Sequence, residues 1–576
     1  MLPGDDSSAT VTEQSSLLHQ SRPSSRSSTG TIANGQDAGG ASFQDPQVEK
    51  ITSMTATESV IVCISIGVLM FLLTSNMSMI TTIQSAIATD LDAFEEAEWF
   101  TTAYMVTMSV ISPLMGRLSQ TFSPRICMVA ASVLMGVGSI ITGASSTARV
   151  FLFGRAITGL GAGGTMTGAT IIIIHLAPVA TRGVWLGAAA SVMTVGLSLG
   201  AVIAGGLEPY VGWNYLFGMQ APISFVPGLC LFFFLPTHTG LNHKRVALKR
   251  RLQNIDYLGA ITLAVGITMF LIGVSGRSIL LVPTLSSLPA FMIFVFVERF
   301  FAVEPIIPLS VLKSRGALLT SLATLGFMMS RWAILFYTPV YAIAVRNRSP
   351  AVAGLILIPT NAGFGLGGLL SGWFHIRREG SFYIPSLVSM AIFPATMLAI
   401  ALISTPTSPN ALYVAFLFLN GLATGCVVNY TLVHVLHLLP KEVHPIMMSL
   451  VATFRGLAGS FGSAVGGGLF LRILASSLDD GFKKHGISGR EDLIKRLLGS
   501  PATVQQLVGK ERQIALASYV VGLRGLFLAG VGLSAVMVFL QAGTGWTGYH
   551  EKNQLLTRSD IDGDEIHVEE SLLGTS

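Results

Sequence analysis

The sequence predicts an all-α polytopic membrane protein with 14 transmembrane helices, grouped six, two and six. Three observations predict it. Hydrophobic residues make up 51% of the 576 residues and charged residues only 11%, with a mean hydropathy of +0.65. A soluble chain carries about 25% charged residues, so this one cannot cover a water-facing surface. From residue 58 onward, apolar runs alternate with short polar breaks, and many have the roughly 20 residues that a spanning helix needs. Basic residues gather in every second break, the pattern of cytoplasmic loops. These observations exclude a soluble multidomain enzyme, a nucleic-acid binder and a disordered scaffold. The net charge of +5, from 35 basic and 30 acidic residues, is too small to imply nucleic acid.

Residues 1–55 are rich in Ser, Thr, Gly and Gln without apolar periodicity, so a disordered tail is expected. The tail has no apolar core of a secretory leader. It contains Glu13-Gln-Ser-Ser-Leu17-Leu18, which resembles the acidic dileucine signal that adaptor complexes read when they sort membrane proteins to vacuoles. A chance match is the alternative. The first bundle, 56–236, holds spans near 59–82, 99–118, 126–146, 150–174, 184–206 and 214–235. A basic linker, 237–254, carries His243-Lys-Arg-Val-Ala-Leu-Lys-Arg-Arg251. A two-helix insertion, 255–302, has spans near 256–275 and 279–301, the second interrupted by Pro283 and Pro289. The second bundle, 303–541, has spans near 317–341, 351–374, 382–404, 410–436, 446–471 and 515–541. Within it, loop 472–514 spaces Ile487, Leu493, Ile494, Leu497 and Leu498 as a short amphipathic lumenal helix would. Residues 542–576 form a second tail.

Charge orients the chain. Even-to-odd connections hold Arg117 and Arg125, then Arg182, the 243–251 cluster, Lys313 and Arg315, Arg377 and Arg378, and Lys441. The first odd-to-even connection is acidic, with Asp90, Asp92, Glu95, Glu96 and Glu98. This asymmetry places both tails in the cytoplasm, where an adaptor reaches the dileucine. The four cysteines, Cys63, Cys127, Cys230 and Cys426, fall in apolar runs and read as small buried hydrophobes. No Cys/His cluster suggests a metal.

An internal repeat is visible. Gly116-Arg117-Leu-Ser-Gln120-Thr-Phe-Ser-Pro-Arg125 follows span 2, and Gly372-Trp-Phe-His-Ile-Arg-Arg-Glu-Gly380 follows span 10. Gly200-Ala-Val-Ile-Ala-Gly-Gly206 in span 5 is echoed by Gly462-Ser-Ala-Val-Gly-Gly-Gly468 in span 13. The shared offset of eight spans implies two homologous six-span bundles separated by the insertion. Transporters are often built this way, with the solute site between the halves.

At these residues the chain resembles the major facilitator superfamily, in its 14-span drug:proton antiporter branch, over roughly residues 55–541. The family loop after span 2 reads G-x-L-x-D-x-x-G-R-K/R. Gly116, Leu118 and Arg125 match it, while Gln120 replaces the Asp, Ser123 the second Gly and Pro124 the Arg. Arg155-Ala-Ile-Thr158-Gly159-Leu-Gly161 is similar to R-x-x-Q-G-x-G without the Gln. In span 5, Gly187, Gly196, Gly200 and Gly205 fit the antiporter signature, with Ala201 in place of its Pro and Ala204 in place of a Gly. Tyr337-Thr-Pro-Val-Tyr341, Ala353-Gly-Leu-Ile-Leu-Ile-Pro359 and Phe454-Arg-Gly-Leu-Ala-Gly-Ser-Phe-Gly462 resemble fungal vacuolar basic-amino-acid transporters and multidrug exporters. The resemblance implies two bundles rocking about a central cavity, with a proton as coupling ion. It also implies that span 5 lies at the contact between the halves. Ala201 then predicts a straighter span 5, because Pro deletes a backbone bond and clashes.

Arg155 is the first candidate for function, since a guanidinium within a span is costly and must face partners or a water-filled cavity. The resemblance gives it proton coupling or solute handling; the alternative is a structural tie. Arg455 is similar but sits near enough to the cytoplasmic end to snorkel. Asn76 stands where relatives often have Asp. It cannot titrate, but it can hydrogen-bond a solute or a neighbouring helix. Gln84 follows about 80° round the same helix. Asn361 and Asn429 are further polar points, weighed between cavity and interhelical roles. His175, His434 and His437 read as solvated interface residues, and so do the acids Asp256, Glu298 and Glu304. No acid lies near a predicted midplane, so proton coupling would have to use Glu95, Glu96 or Glu98 at the lumenal mouth, and a uniporter is the alternative. Asn347-Arg-Ser349 is an N-glycosylation pattern, disfavoured by Pro350 and the nearby membrane.

The functional expectation is a secondary transporter of small organic solutes, by alternating access, with the bilayer and an adaptor complex as partners. No cofactor, enzyme activity or nucleotide-binding loop is expected. Arg155 favours an anionic group and the acidic mouth gathers cations; a basic amino acid entering the vacuole carries both. A plasma-membrane exporter of drugs or secondary metabolites is the first alternative. A degenerate, non-transporting sensor is the second, motivated by Gln120, Ser123, Pro124 and Ala201.

Overall fold

The computed structural model describes residues 55–176, 182–236, 256–301, 313–375, 381–440, 443–487 and 489–546. Glu13, Leu17, Leu18, the 243–251 cluster, Glu304, Arg377, Arg378 and Lys441 lie outside them. The side chains of Arg117, Gln120, His175 and Arg182 and the surroundings of Gly187 lie outside them too, although these backbones are helical. The described residues are helical with no strand.

In the first half, α1 is Ala56–Asp90, α2 Trp99–Phe122, α3 Pro124–Gly143, α4 Ala148–Leu176, α5 Arg182–Gly218 and α6 Gln220–Phe234. Local chemistry starts them. Thr55 and Glu58 form a reciprocal capping box at α1, which satisfies two otherwise orphaned donors. Only Ser123 separates α2 from α3. Its φ of 96° lies where glycine is at ease and an L side chain is strained, and Pro124 opens α3 with its missing N–H at a position that has no intrahelical partner. Helix α5 keeps helical dihedrals through Ala201 and breaks only at Gly212, φ 76°.

The insertion is a hairpin of α7, Tyr257–Val274, and α8, Leu281–Phe300. Asp256 caps α7, accepting from Gly259 N at 2.7 Å. In the second half, α9 is Arg315–Val340 and runs on as a π-turn over Tyr341–Val345. Next come α10, Pro350–Leu355, and α11, Leu357–Leu370, which together fill one span; then α12, Tyr383–Ile403, and α13, Asn410–His437. Helix α14 covers His444–Lys484 and ends well beyond the predicted residue 471. Short α15, Glu491–Gly499, and α16, Thr503–Gln506, lead into α17, Gly509–Ala542. Helix α15 is the amphipathic segment expected in the long loop, with Ile494 and Leu497 buried.

Twelve stretches among the described residues are long and apolar enough to cross a membrane; one, Ser191–Phe234, runs through both α5 and α6, and α2 is outside the twelve. The helix order is consistent with 6 + 2 + 6 passes. Outward faces are apolar: Val282, Met292 and Phe233 are exposed, as lipid contact requires. Cys63 is exposed there too, and only Cys127 is buried, so burial in the protein holds for one of the four. Glu298 departs from the expected solvation, being 6% exposed.

The halves share one packing pattern. In the first, α1 packs on α5, α2 on α4, and α3 on α4 and α6; in the second, α9 packs on α14, α11 on α13, and α12 on α13 and α17. The contacts between halves are paired the same way, α5 against α10 and α11, and α2 against α14. Small residues permit the approach. Within the first half a Cβ on Gly200 would stand 2.5 Å from Ser75 Cα, and across the halves one on Gly205 would stand 2.5 Å from Pro350 C. Gly354 meets Ala201 from the other side, with its own Cβ position 2.7 Å from Ala201 C. Gly159 is closed in by Thr107 and Tyr104, and Gly196 by Thr74 and Phe71, while Gly116 has open space around it.

Candidate functional site

Two buried polar clusters and a cavity stand out among the described residues. The first cluster centres on Arg155 of α4, which is fully buried. Its Nε donates to Phe100 O at 2.9 Å and its Nη1 to Asn76 Oδ1. Its guanidinium lies 4.5 Å from the Tyr104 ring centre, a cation–π contact. Asn76 Nδ2 donates to Gln220 Oε1. One arginine thus ties α1, α2 and α4, and through Asn76 also α6. Its partners are carbonyl and amide oxygens and an aromatic face, and Nη2 is buried without a partner.

The second cluster centres on Arg331 of α9, 4% exposed. It donates to Thr360 Oγ1, to Thr360 O at 3.3 Å and to Asn361 Oδ1 at 3.3 Å. Asn361 Nδ2 then donates to Ser198 Oγ of α5 at 2.9 Å, so this chain of hydrogen bonds crosses between the halves. Ser109 and Ser460 make a second crossing, from α2 to α14. Asn429 stays within the second half, donating to Gly368 O at 2.8 Å and Ser371 Oγ at 3.1 Å. Arg455 Nη2 donates to Val428 O at 2.8 Å rather than reaching for solvent. His434 is buried, not solvated: it pairs with Thr544 Oγ1 at 3.0 Å. Arg125 lies over the Phe232 ring at 4.8 Å. Asn347 is exposed in the connection before α10, with φ 53°.

The cavity, about 410 Å³, lies at the end where the α1–α2 connection meets the α7–α8 turn. That volume is within the range of small-ligand pockets. Its walls are Gln84 of α1, Glu95, Glu98 and Trp99 at the head of α2, Ser275–Ser278 of the insertion turn, Phe336 and Tyr337 of α9, Phe470 of α14 and Lys495 of α15. The mouth carries both charges, with Lys495 Nζ 2.9 Å from Glu95 Oε1. Of the residues weighed in the sequence for solute binding or coupling, Gln84, Glu95 and Glu98 are on this wall. Arg155, Asn76, Asn361, Asn429 and Arg455 are not.

Glu98 is the acid that reaches inward. Its Oε1 accepts from Ser275 Oγ at 3.3 Å, while Oε2 is sequestered without a hydrogen-bond partner. It stands in the connection just ahead of α2, where burial pushes its carboxyl up to about 7 against the opposing pull of Ser275, the Gly276 backbone and the Arg472 charge. Sequence reasoning left Glu98 among three mouth acids and passed over Arg331 and Gln220. Arg331 carried the same signal as Arg155, a guanidinium inside an apolar run. Among the described residues no group of His, Cys, Asp and Glu is arranged to hold a metal.

Two pseudo-repeated bundles joined face to face, with buried arginines inside and a cavity between them, define a multi-pass membrane protein of the transporter kind. The Major Facilitator Superfamily model matches residues 64–463, and the chain belongs to that superfamily. It is 25% identical to the vacuolar membrane amino acid uptake transporter fnx2 of Schizosaccharomyces pombe, over 76% of each chain. It is 24% identical to the thioclapurine efflux transporter tcpA of Claviceps purpurea, over 90% of this chain and 95% of that one. In fold it is similar to a bacterial homologue of the human lysosomal transporter Spinster, with TM-score 0.58 and 13% identity over 85% of this chain and 98% of that one.

Proposed function

We propose that the protein is a secondary transporter that moves basic amino acids into the vacuole by alternating access, with a proton as coupling ion. The observation that carries this reading is the cavity between the halves, lined by Glu98 and Gln84 on one wall and by Arg277 and Lys495 on another. A small solute bearing an ammonium and a carboxylate meets a complementary charge for each. The likeness to an amino acid uptake transporter of the vacuolar membrane supports an amino acid as the solute and the vacuolar membrane as the compartment. The test is uptake of labelled lysine, arginine and histidine into proteoliposomes, with and without an imposed proton gradient. Gradient-driven uptake supports the reading. Uptake indifferent to the gradient makes the protein a uniporter.

A second reading, efflux of drugs or secondary metabolites, draws on the aromatic walls Trp99, Phe336, Tyr337 and Phe470 and on the likeness to tcpA. Location separates the two. A fluorescent fusion is expected at the vacuolar membrane and is expected to move to the plasma membrane in Leu17→Ala/Leu18→Ala. Plasma-membrane location of both forms removes the vacuolar reading and the adaptor partner with it.

A further inference from the structure

We infer that Glu98 is a proton-binding site that closes the cavity mouth when it is neutral and lets the mouth open when it is ionised. The inference rests on the cavity being the transporter's solute chamber. Three parts of the molecule meet at this carboxylate. Glu98 itself heads α2 of the first half. The insertion turn grips it through Ser275 Oγ, 3.3 Å from Oε1. The second half presents bare backbone: a Cβ on Gly467 of α14 would run into Oε1 and stand 3.0 Å from Tyr337 Oη. Arg472 of α14 is fixed to the same turn, its Nη1 donating to Val274 O at 3.1 Å and Gly276 O at 3.2 Å. The carboxylate is therefore the wedge between both halves and the insertion.

The other charged or titratable groups facing it are Arg472 from α14, Tyr337 from α9, Arg277 from the turn, and Lys495 with its partner Glu95 from the rim. Arg and Lys keep their charge, and Tyr its proton, across the neutral range. Oε2 has no hydrogen-bond partner in the closed arrangement, so the proton sits there without displacing any contact. Ionisation puts charge on a buried carboxylate whose support here is Ser275 Oγ, the Gly276 backbone and the Arg472 charge, with Oε2 left unpaired, and water is the nearest further donor. An open mouth supplies that water.

Linkage fixes the sign and the size. Closed, Glu98 holds its proton up to about 7, against 4.5 when hydrated. The closed form therefore binds the proton more tightly, and acid on this side favours closure. The closed-to-open ratio changes roughly twentyfold between about pH 7.5 and 5.5.

The test uses the full chain in lipid nanodiscs, with Cys63, Cys127, Cys230 and Cys426 replaced by alanine and Thr81→Cys placed on the cavity wall. A bulky hydrophilic maleimide reports opening. The labelling rate with Glu98, divided by the rate in Glu98→Gln at the same pH, cancels the thiol's own titration. That ratio is expected to fall about twentyfold from pH 7.5 to 5.5; a flat ratio overturns the inference. If Glu98→Gln does not fold, infrared titration of the unaltered protein takes its place. A protonated-carboxyl band with a midpoint near pH 7 that survives in Glu95→Gln/Glu96→Gln supports the site, and absence of such a band overturns it. Neither readout needs a solute, so failure of lysine uptake overturns the amino-acid reading and leaves this result standing.

Discussion

Arg155 behaves in this structure as a strut. Its charge is spread over a carbonyl, an amide oxygen and the face of Tyr104, and Asn76 passes the tie on to Gln220. Removing it strands Asn76 and Gln220 together. Hydrogen bonds between membrane helices are worth about 0.6 kcal/mol each and a cation–π contact about 0.5–1 kcal/mol. Arg155→Ala is therefore expected to lower stability by about 2 kcal/mol, read from thermal unfolding in detergent. Unchanged melting contradicts the strut. Ser123 offers the opposite test. Its φ of 96° places a side chain where the family pattern has glycine, and such strain costs about 1–3 kcal/mol. Ser123→Gly is expected to stabilise the protein by about 1 kcal/mol, and a fall in melting temperature refutes that. The polar residues were legible in the sequence, because any Arg or Asn within an apolar run announces itself. Their partners were not. Asn361 reaches Ser198 across 163 positions, and nothing in periodicity pairs two residues so far apart. Glu98 was legible as an acid at a mouth, but its inward direction depends on a turn 177 positions away.

At the scale of elements, the seam of α5 against α10 is backbone on backbone. Gly205 faces Pro350, and Gly354 faces Ala201. A methyl group at Gly205 has no flexible neighbour to displace, so the helices must separate. Gly205→Ala is expected to cost about 1–3 kcal/mol and to speed maleimide labelling of Ala351→Cys relative to the Gly205 parent. Equal labelling rates show that the seam yields without opening. The helices themselves were the most legible part of the sequence, since length and hydropathy set them almost alone. Their ends were less so. Helix α14 outruns its apolar stretch and ends at Lys484, because Leu474, Leu478 and Phe482 continue its buried face past the point where hydropathy falls. The second-half span that follows the α9 π-turn divides into α10 and α11 at Ile356, a break that composition does not mark.

At the scale of the whole molecule, the repeat written in the glycines reappears as a repeat of contacts. The partners of α1, α2 and α3 in the first half recur for α9, α11 and α12 in the second. Each half crosses to the other through an equivalent pair, α5 to α10 and α2 to α14. In the alternating-access reading proposed above, both seams loosen as the halves rock, so a substitution that tightens one is expected to slow exchange from either side. A cysteine pair at Ser109 and Ser460, adjacent across the α2–α14 seam, tests this. Oxidation is expected to abolish transport of a solute that the reduced protein carries, with recovery on reduction; transport through the locked form contradicts it. The α7–α8 hairpin stands outside this symmetry, and its number of crossings has a consequence of its own. An even insertion preserves parity: every helix after it runs in the same direction as it would without the hairpin. Excising residues 256–301 is therefore expected to leave the second bundle running in the same direction across the bilayer. Such a chain retains every hydrogen-bond partner of Arg155 and Arg331 but lacks the Ser275–Gly276 turn over Glu98, leaving a core whose doorway has no lintel.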